Sequence, residues 1–128
     1  MFNVNKLSYQ LFPNHILYHK MFISKTIKTL DMKALSNDQV ASHLATHLKN
    51  WNFKETAINR DFKFKTFVEA FSFMTAIALE VEKIDHHPDW TNSYNKVSID
   101  LSTHSEKGIT QLDFDLADKI DQIYKKYE

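Results

Sequence analysis

The chain has 128 residues, of which 43% are hydrophobic and 13% aromatic. This length and composition suit one domain with a hydrophobic core, and the chain is too short for two such domains. Basic and acidic residues balance at 16 each, so no net charge draws the protein towards nucleic acid or an anionic membrane. The absence of cysteine excludes disulfides and thiolate chemistry, and it restricts any zinc site to His and carboxylate ligands.

The N-terminal segment differs from the rest of the chain. Up to Leu30 it contains four lysines and no acidic residue, and Pro13 interrupts any periodicity. We predict that residues 1–31 are an N-terminal extension of a domain that spans residues 32–128. We expect a cytoplasmic protein that can also enter the nucleus; the alternative is mitochondrial targeting by residues 1–31, because transit peptides are similarly basic and acid-free. No apolar run reaches the roughly 20 residues of a bilayer span.

Three segments begin with a helix-start signature, in which Ser or Thr is followed three residues later by a side chain that reaches back. The pairs are Ser36 with Gln39, Thr66 with Glu69, and Thr110 with Asp113. Apolar residues recur at helical spacing after each pair. In the second helix, the predicted inward face consists of Phe67, Ala70, Phe71, Met74, Ile77, Ala78, Val81 and Ile84.

Two pairs of strand-like segments lie between these helices. Residues 51–55 and 57–64 alternate apolar and polar side chains, and residues 89–92 and 96–103 flank the turn-prone Ser93-Tyr94-Asn95. The element order is therefore α-β-β-α-β-β-α. Hairpins separated by a helix predict an α+β domain, in which a four-stranded antiparallel sheet carries three helices on one face.

Histidines gather where the second helix and the last strand are predicted to end. Pro88 disfavours helical geometry at His87, so the helix must end near Asp85 or His86 and both histidines fall in a turn. His104 ends the last predicted strand, at the parity of its polar face. Turns and strand ends are where a rigid scaffold places reactive groups, and imidazoles titrate in the range useful for general acid and base work.

Other interpretations of the histidines stay open from the residues alone. His86 and His87 suit a solvated position or a favourable charge at a helix C-terminus. Three imidazoles can also hold zinc as a catalytic site. His43 and His47, four residues apart on the first helix, are predicted to be surface residues. With Gly108 as its only glycine, the chain has no Gly-rich loop to bind phosphate.

The string EKIDHHPDWTNSYNKVSIDLSTH, residues 82–104, closely resembles the signature of the pterin-4a-carbinolamine dehydratases. That signature reads E-K-x-D-H-H-P-x-W, then Y-N-x-V, then L-S-T-H, at this spacing. Upstream, LSNDQV, Trp51 and FKFKTFVEAFSFMTAIALEVE resemble the first helix, first strand and long second helix of the family. Downstream, GITQLDFDLADKID resembles its last helix, so the resemblance covers about residues 33–127.

The resemblance implies a hydro-lyase that dehydrates 4a-hydroxytetrahydropterin, the 4a-carbinolamine, to quinonoid dihydropterin during tetrahydrobiopterin recycling. It implies that His86, His87 and His104 form the active site as general acids and bases, and that Pro88 shapes its turn. The reaction has no redox step, so neither a metal nor a nicotinamide cofactor is implied.

The resemblance also implies supporting residues and partners. Glu82 and Asp113 match acidic positions that orient the imidazoles. Trp51 and Trp90 match tryptophan positions that could wall the pterin pocket beside His87, although Trp90 suits the core equally well. Members of the family form homodimers and homotetramers through sheet edges and the long second helix. Some are dimerisation cofactors of a homeodomain transcription factor of the hepatocyte nuclear factor type, so a binding module that acts as a transcriptional coactivator is the alternative function.

Overall fold

The computed structural model describes residues 33–128, and the predicted N-terminal extension lies outside them. The elements are α1 (Asn37–Thr46), β1 (Asn52–Lys54), β2 (Ala57–Lys63), α2 (Phe67–Ile84), β3 (Asp89–Ser93), β4 (Lys96–Leu101) and α3 (Gln111–Tyr124), with a 3₁₀ turn at His104–Glu106 before α3. This order and the antiparallel sheet confirm the predicted α+β fold. None of the helices described is both long and apolar enough to cross a membrane.

The four strands form one antiparallel sheet in the order β1-β2-β4-β3. Ile58 on β2 pairs with Leu101 on β4, and Asp89 on β3 pairs with Asp100 on β4. The beginning of β3, the end of β4 and the beginning of β2 therefore lie at the same end of the sheet. Loops that leave this end can bring residues from distant parts of the chain together.

The hydrophobic core lies between the sheet and the helices. Alternate residues of the two central strands are buried and face it, because successive strand residues point to opposite sides. They are Ile58, Phe62, Val97, Ile99 and Leu101. Asp61 on the other side of β2 is exposed, so the three helices cover one face and leave the other polar.

The inward face predicted for α2 is partly wrong. Phe73, which the prediction left out, is fully buried and packs against Phe62 and Phe64 with ring centroids 4.9 Å apart in both pairs. Four residues of the predicted face are exposed instead: Phe67, Phe71, Ala78 and Ile84. Apolar residues occupy most of the circumference of α2, so its sequence cannot specify which side the sheet covers.

Candidate active site

The turn after α2 separates the two neighbouring histidines. Asp85 adopts a left-handed conformation with φ of 51°, and its N–H donates to the Val81 carbonyl. The N–H of His86 donates to the same carbonyl at 3.3 Å. This reversal directs His86 into the interior, where it is 8% exposed, whereas the side chain of His87 is 55% exposed. The predicted end of the helix is confirmed.

His86 is held by a buried carboxylate. Its Nε2 atom lies 2.8 Å from Oδ1 of Asp113, in the first turn of α3. Oδ2 of Asp113 accepts the backbone N–H of Thr110 at 2.8 Å and the hydroxyl of Thr103 at 2.9 Å. The bond from Thr110 is half of the capping box predicted for this helix. The helix cap therefore also fixes the carboxylate that orients His86.

The other two histidines have carboxylate neighbours at the surface. Nε2 of His87 lies 3.3 Å from Oε2 of Glu82, whose side chain is 83% exposed. Nε2 of His104 lies 3.5 Å from Oδ2 of Asp89, and both side chains are about three-quarters exposed. Each of these contacts becomes an ion pair when the imidazole is protonated. Solvent screens exposed pairs, so their contribution is small beside that of a buried one.

His104 does not end a strand, as the sequence suggested, but begins the 3₁₀ turn. β4 stops at Leu101, and the N–H of Thr103 donates to the Gly108 carbonyl at 2.9 Å. That bridge closes a short loop, and its first residue is His104. The loop places His104 beside the beginning of β3 because the end of β4 lies at the same end of the sheet.

The contacts bring the three predicted histidines to one end of the sheet. Asp89, which contacts His104, follows His87 by two residues. Thr103, which bonds the carboxylate beside His86, precedes His104 directly. One imidazole is thus buried and fixed, and two are accessible, an arrangement able both to donate and to accept protons. Within residues 33–128, no group of three or more His, Asp or Glu side chains is arranged to hold a metal ion.

Comparison with known proteins assigns the chain to a family. The family model described as pterin 4 alpha carbinolamine dehydratase matches residues 33–123. The chain belongs to this family. A relative from Prochlorococcus marinus (strain MIT 9312) is 47% identical over 90 residues, which cover 70% of this chain and 94% of the relative. A second, from Rhizobium meliloti (strain 1021), is 51% identical over 87 residues, or 64% of this chain and 84% of the relative. Both are provisionally named pterin-4-alpha-carbinolamine dehydratases.

Two solved structures show the same fold. A protein from Brucella melitensis, described as a transcriptional coactivator/pterin dehydratase, is 44% identical and superimposes with a TM-score of 0.69. The match covers 72% of this chain and 99% of that one. A pterin dehydratase-like protein, described as a RuBisCO assembly factor in the alpha-carboxysome, is 19% identical with a TM-score of 0.50. At that identity it shares the fold alone. The resemblance drawn from the sequence is confirmed.

The structure does not bring Trp51 to the histidines. Trp51 is 3% exposed, and its indole N–H donates to Oδ1 of Asp121 at 3.0 Å. The same oxygen accepts a 2.6 Å bond from Arg60. Burial raises the pKa of the Asp121 carboxyl, against the opposing effect of Trp51 and Arg60. Asp121 lies two turns beyond Asp113 on α3, roughly 12 Å along the helix axis, so this group belongs to the core.

Trp90 lies closer to the site but faces the core. It pairs with Ile99 across β3 and β4, on the side of the sheet that the helices cover. It is half-buried and packs against the core.

Sequence reasoning missed two contacts of the site. The sequence does not identify Asp89 as the carboxylate beside His104, nor Thr103 as a donor to Asp113. The available signal for Asp89 is its position directly after Pro88, where β3 begins. The first residue of β3 lies beside the end of β4, and His104 follows that end. Thr103 is part of the L-S-T-H motif, but nothing in the motif shows that its side chain points towards α3.

Proposed function

We propose that this member of the family dehydrates 4a-hydroxytetrahydropterin to quinonoid dihydropterin by histidine general acid and base catalysis. The observation that carries the proposal is the set of three imidazoles, each beside a carboxylate, at one end of the sheet. Such a step follows a pterin-dependent hydroxylation, which leaves a hydroxyl group on C4a. It precedes reduction of the product, so it serves tetrahydrobiopterin recycling.

The reaction requires one proton to be delivered and one to be removed. The C4a–O bond breaks as an imidazolium gives its proton to the hydroxyl, which leaves as water. The lone pair of a ring nitrogen forms the new C=N double bond, and a neutral imidazole takes a ring N–H proton. No electron is gained or lost overall. General acid and base catalysis of this kind contributes typically about 10²-fold to 10⁴-fold in rate.

The three histidines differ in ways that support different roles. We assign His86 and His104 as acids towards the hydroxyl of opposite C4a stereoisomers. His87, accessible and beside Glu82, holds the ring and accepts the ring proton. Asp113 and Glu82 stabilise the charged imidazoles beside them. The buried bond from Asp113 supports a fixed orientation for His86, whereas the exposed contact at His87 leaves that ring free to adjust to the substrate.

The experiment that tests the function is a dehydration assay on the purified full chain. The 4a-carbinolamine is generated freshly, and the decay of its absorbance is followed with and without the protein. We expect catalytic amounts to accelerate the decay. The control His47→Ala, which replaces an exposed histidine directly after α1, should keep the wild-type rate. If the decay with the wild-type protein matches that in buffer alone, the proposed function is wrong.

We propose in addition that the chain forms a homodimer or homotetramer through the outer face of α2. Five large apolar side chains on this helix are solvent-exposed in the single chain: Phe67, Val68, Phe71, Leu79 and Ile84. Val68 is 70% exposed and Leu79 is 64% exposed. Large exposed apolar surface typically marks an interaction site, since its burial is favourable.

A binding role as a coactivator is the second candidate, and the same face of α2 favours it. The Brucella protein is described as both a coactivator and a dehydratase. If a transcription factor docks on this face, it must compete with self-association. A pull-down with a dimerising transcription factor, challenged with excess of the homo-oligomer, tests this. If excess homo-oligomer abolishes capture of the transcription factor, the coactivator role is supported. If neither the excess oligomer nor Phe71→Ser reduces capture, docking on this face is contradicted.

A further inference from the structure

We propose that Thr103 is a positioning residue of the active site, which fixes the tautomer of His86 through Asp113. On this proposal, Nε2 of His86 always carries hydrogen, and Nδ1 is the atom that exchanges protons with the substrate. The expected effect on catalysis rests on the proposed dehydratase function, whereas the tautomer of His86 does not depend on it. Its basis is a chain of hydrogen bonds through Thr110, Thr103 and Asp113 that ends at His86.

The members of this chain are removed from solvent. Thr103 is 4% exposed, and Thr110 and Asp113 are fully buried. Water therefore cannot replace a missing partner easily, and each polar atom needs one within the protein. The hydroxyl of Thr103 lies 2.8 Å from that of Thr110 and 2.9 Å from Oδ2 of Asp113.

The number of available hydrogens determines the direction of the bonds. A hydroxyl has one hydrogen to donate, and an ionised carboxylate has none. Thr103 therefore donates to Asp113, and Thr110 donates to Thr103. The backbone N–H of Thr110, which can only donate, gives the second bond to Oδ2 of Asp113 at 2.8 Å. All of these donors point towards one carboxylate.

The directed bonds determine the state of His86. Asp113 accepts at both oxygens, so Nε2 of His86 must donate at 2.8 Å, in the neutral ring as well as in the charged one. Nδ1 then holds the lone pair of the neutral ring. Among the described residues, no hydrogen bond to Nδ1 of His86 is formed. Nδ1 is therefore the nitrogen available to deliver a proton to the leaving hydroxyl.

Loss of the Thr103 hydroxyl removes a donor from Oδ2 and leaves that oxygen under-satisfied. The carboxylate can then shift or rotate, and the second tautomer of His86 becomes accessible. Thr103→Val keeps the shape of the side chain and removes only the hydroxyl, whereas Thr103→Ser keeps the hydroxyl. Thr91→Val, on the exposed side of β3, is the matched control for a threonine outside the network.

The test measures the tautomer and the kinetics on the same proteins. Side-chain ¹⁵N chemical shifts of the wild-type protein should show His86 protonated at Nε2 and unprotonated at Nδ1 near neutral pH. Thr103→Val should lower the Nε2–H population and reduce kcat by roughly tenfold to a hundredfold with little change in KM. Thr103→Ser should restore both, and Thr91→Val should change neither.

Two results would overturn the inference. One is a wild-type His86 protonated at Nδ1, which is decisive even where Thr103→Val fails to fold. The other is a folded Thr103→Val protein with wild-type shifts and wild-type kcat. These results are distinguishable from failure of the proposed function. If the function is wrong, the wild-type protein shows no dehydratase activity. The tautomer of His86 is measured without substrate, so it still decides the inference.

Discussion

Nε2 of His86 lies 2.8 Å from Oδ1 of Asp113, although 27 positions separate the two residues in the chain. The turn after α2 presents the imidazole, and the first turn of α3 presents the carboxylate. Both side chains are at least nine-tenths buried. Burial strengthens the interaction and makes an unpaired member costly, so this pair determines both the orientation of His86 and part of the stability of the site.

The first prediction concerns replacement of the Asp113 carboxylate. In Asp113→Asn one carboxylate oxygen becomes an amide NH₂ group, which cannot accept a hydrogen bond. One of the donors that now bonds Asp113 therefore faces another donor, and His86 loses its fixed orientation. We expect kcat to fall by roughly tenfold to a thousandfold and the free energy of unfolding to fall by about 1–3 kcal/mol. Dehydration kinetics and urea unfolding measure the two effects. Asp115→Asn, an exposed neighbour on α3, is the control; equal kinetics in the two variants would contradict the role of Asp113.

The outer face of α2 gives the second prediction. Phe71→Ser with Leu79→Ser should lower the oligomeric state, because it removes two of the most exposed large apolar side chains of the helix. Light scattering after size-exclusion chromatography measures the mass. We expect the wild-type protein at two or four times the mass of one chain and the variant at a smaller multiple. Tyr94→Ser, an exposed aromatic in the β3–β4 turn, should keep the wild-type mass. A monomeric wild-type protein would refute the proposed interface.

The third prediction concerns pH and His43, which the sequence placed at the surface. The ring is half-buried, stacks on Phe114 with centroids 3.9 Å apart, and has a covered Nε2 without a hydrogen-bond partner among the described residues. Burial lowers the pKa of His43 below its ordinary value, and His47 lowers it further, while Asp118 and Asp115 oppose this. The folded protein therefore binds this proton less readily than the unfolded chain.

The stabilising contribution of neutral His43 is present above the ordinary imidazole pKa of about 6.5 and is lost as the pH falls through the lower folded value. His43→Gln lacks this titration. Between about pH 7.5 and about pH 5, the free energy of unfolding should decrease less in the variant than in the wild-type protein. Urea unfolding at the two pH values measures the difference. An identical decrease in both proteins would show that His43 is not coupled to folding.

The fourth prediction tests the backbone of the β1–β2 turn. Glu55 is exposed and has a left-handed φ of 51°, a conformation that costs a non-glycine residue roughly 1–2 kcal/mol. Glu55→Gly relieves this cost, but glycine raises the conformational entropy of the unfolded chain and so offsets part of the gain. We expect a net gain of about 0.5–1 kcal/mol in unfolding free energy. Glu55→Val should destabilise, because a β-branched residue tolerates this conformation poorly. Both variants remove the same charge, so a loss of stability in both would contradict the argument.

Local signals in the sequence predicted much of the fold. Ser36 and Thr110 begin helices as predicted, because a capping side chain and its partner three residues later form a local motif. Pro88 located the turn that contains His86 and His87, since the restriction that it imposes on the preceding residue is also local. The family signature, which joins distant parts of the chain at fixed spacing, then grouped His104 with them.

Features that depend on tertiary packing could not be predicted. Phe73 rather than Phe71 is buried, because the rotation of α2 is decided by the sheet and α3 and not by the apolar pattern of the helix itself. Trp51 is buried beside Asp121, 70 positions further along the chain, and no local pattern marks that contact. The bond from Thr103 to Asp113 depends in the same way on how α3 docks at the end of β4.

Imidazoles of this site are proposed to carry out the proton transfers of dehydration. The most direct test compares the decay of freshly generated 4a-carbinolamine with the wild-type protein and with His86→Ala combined with His104→Ala. Circular dichroism spectra establish that both proteins are folded. We expect the variant to lose at least about a hundredfold in kcat. A folded variant with the wild-type rate would contradict it.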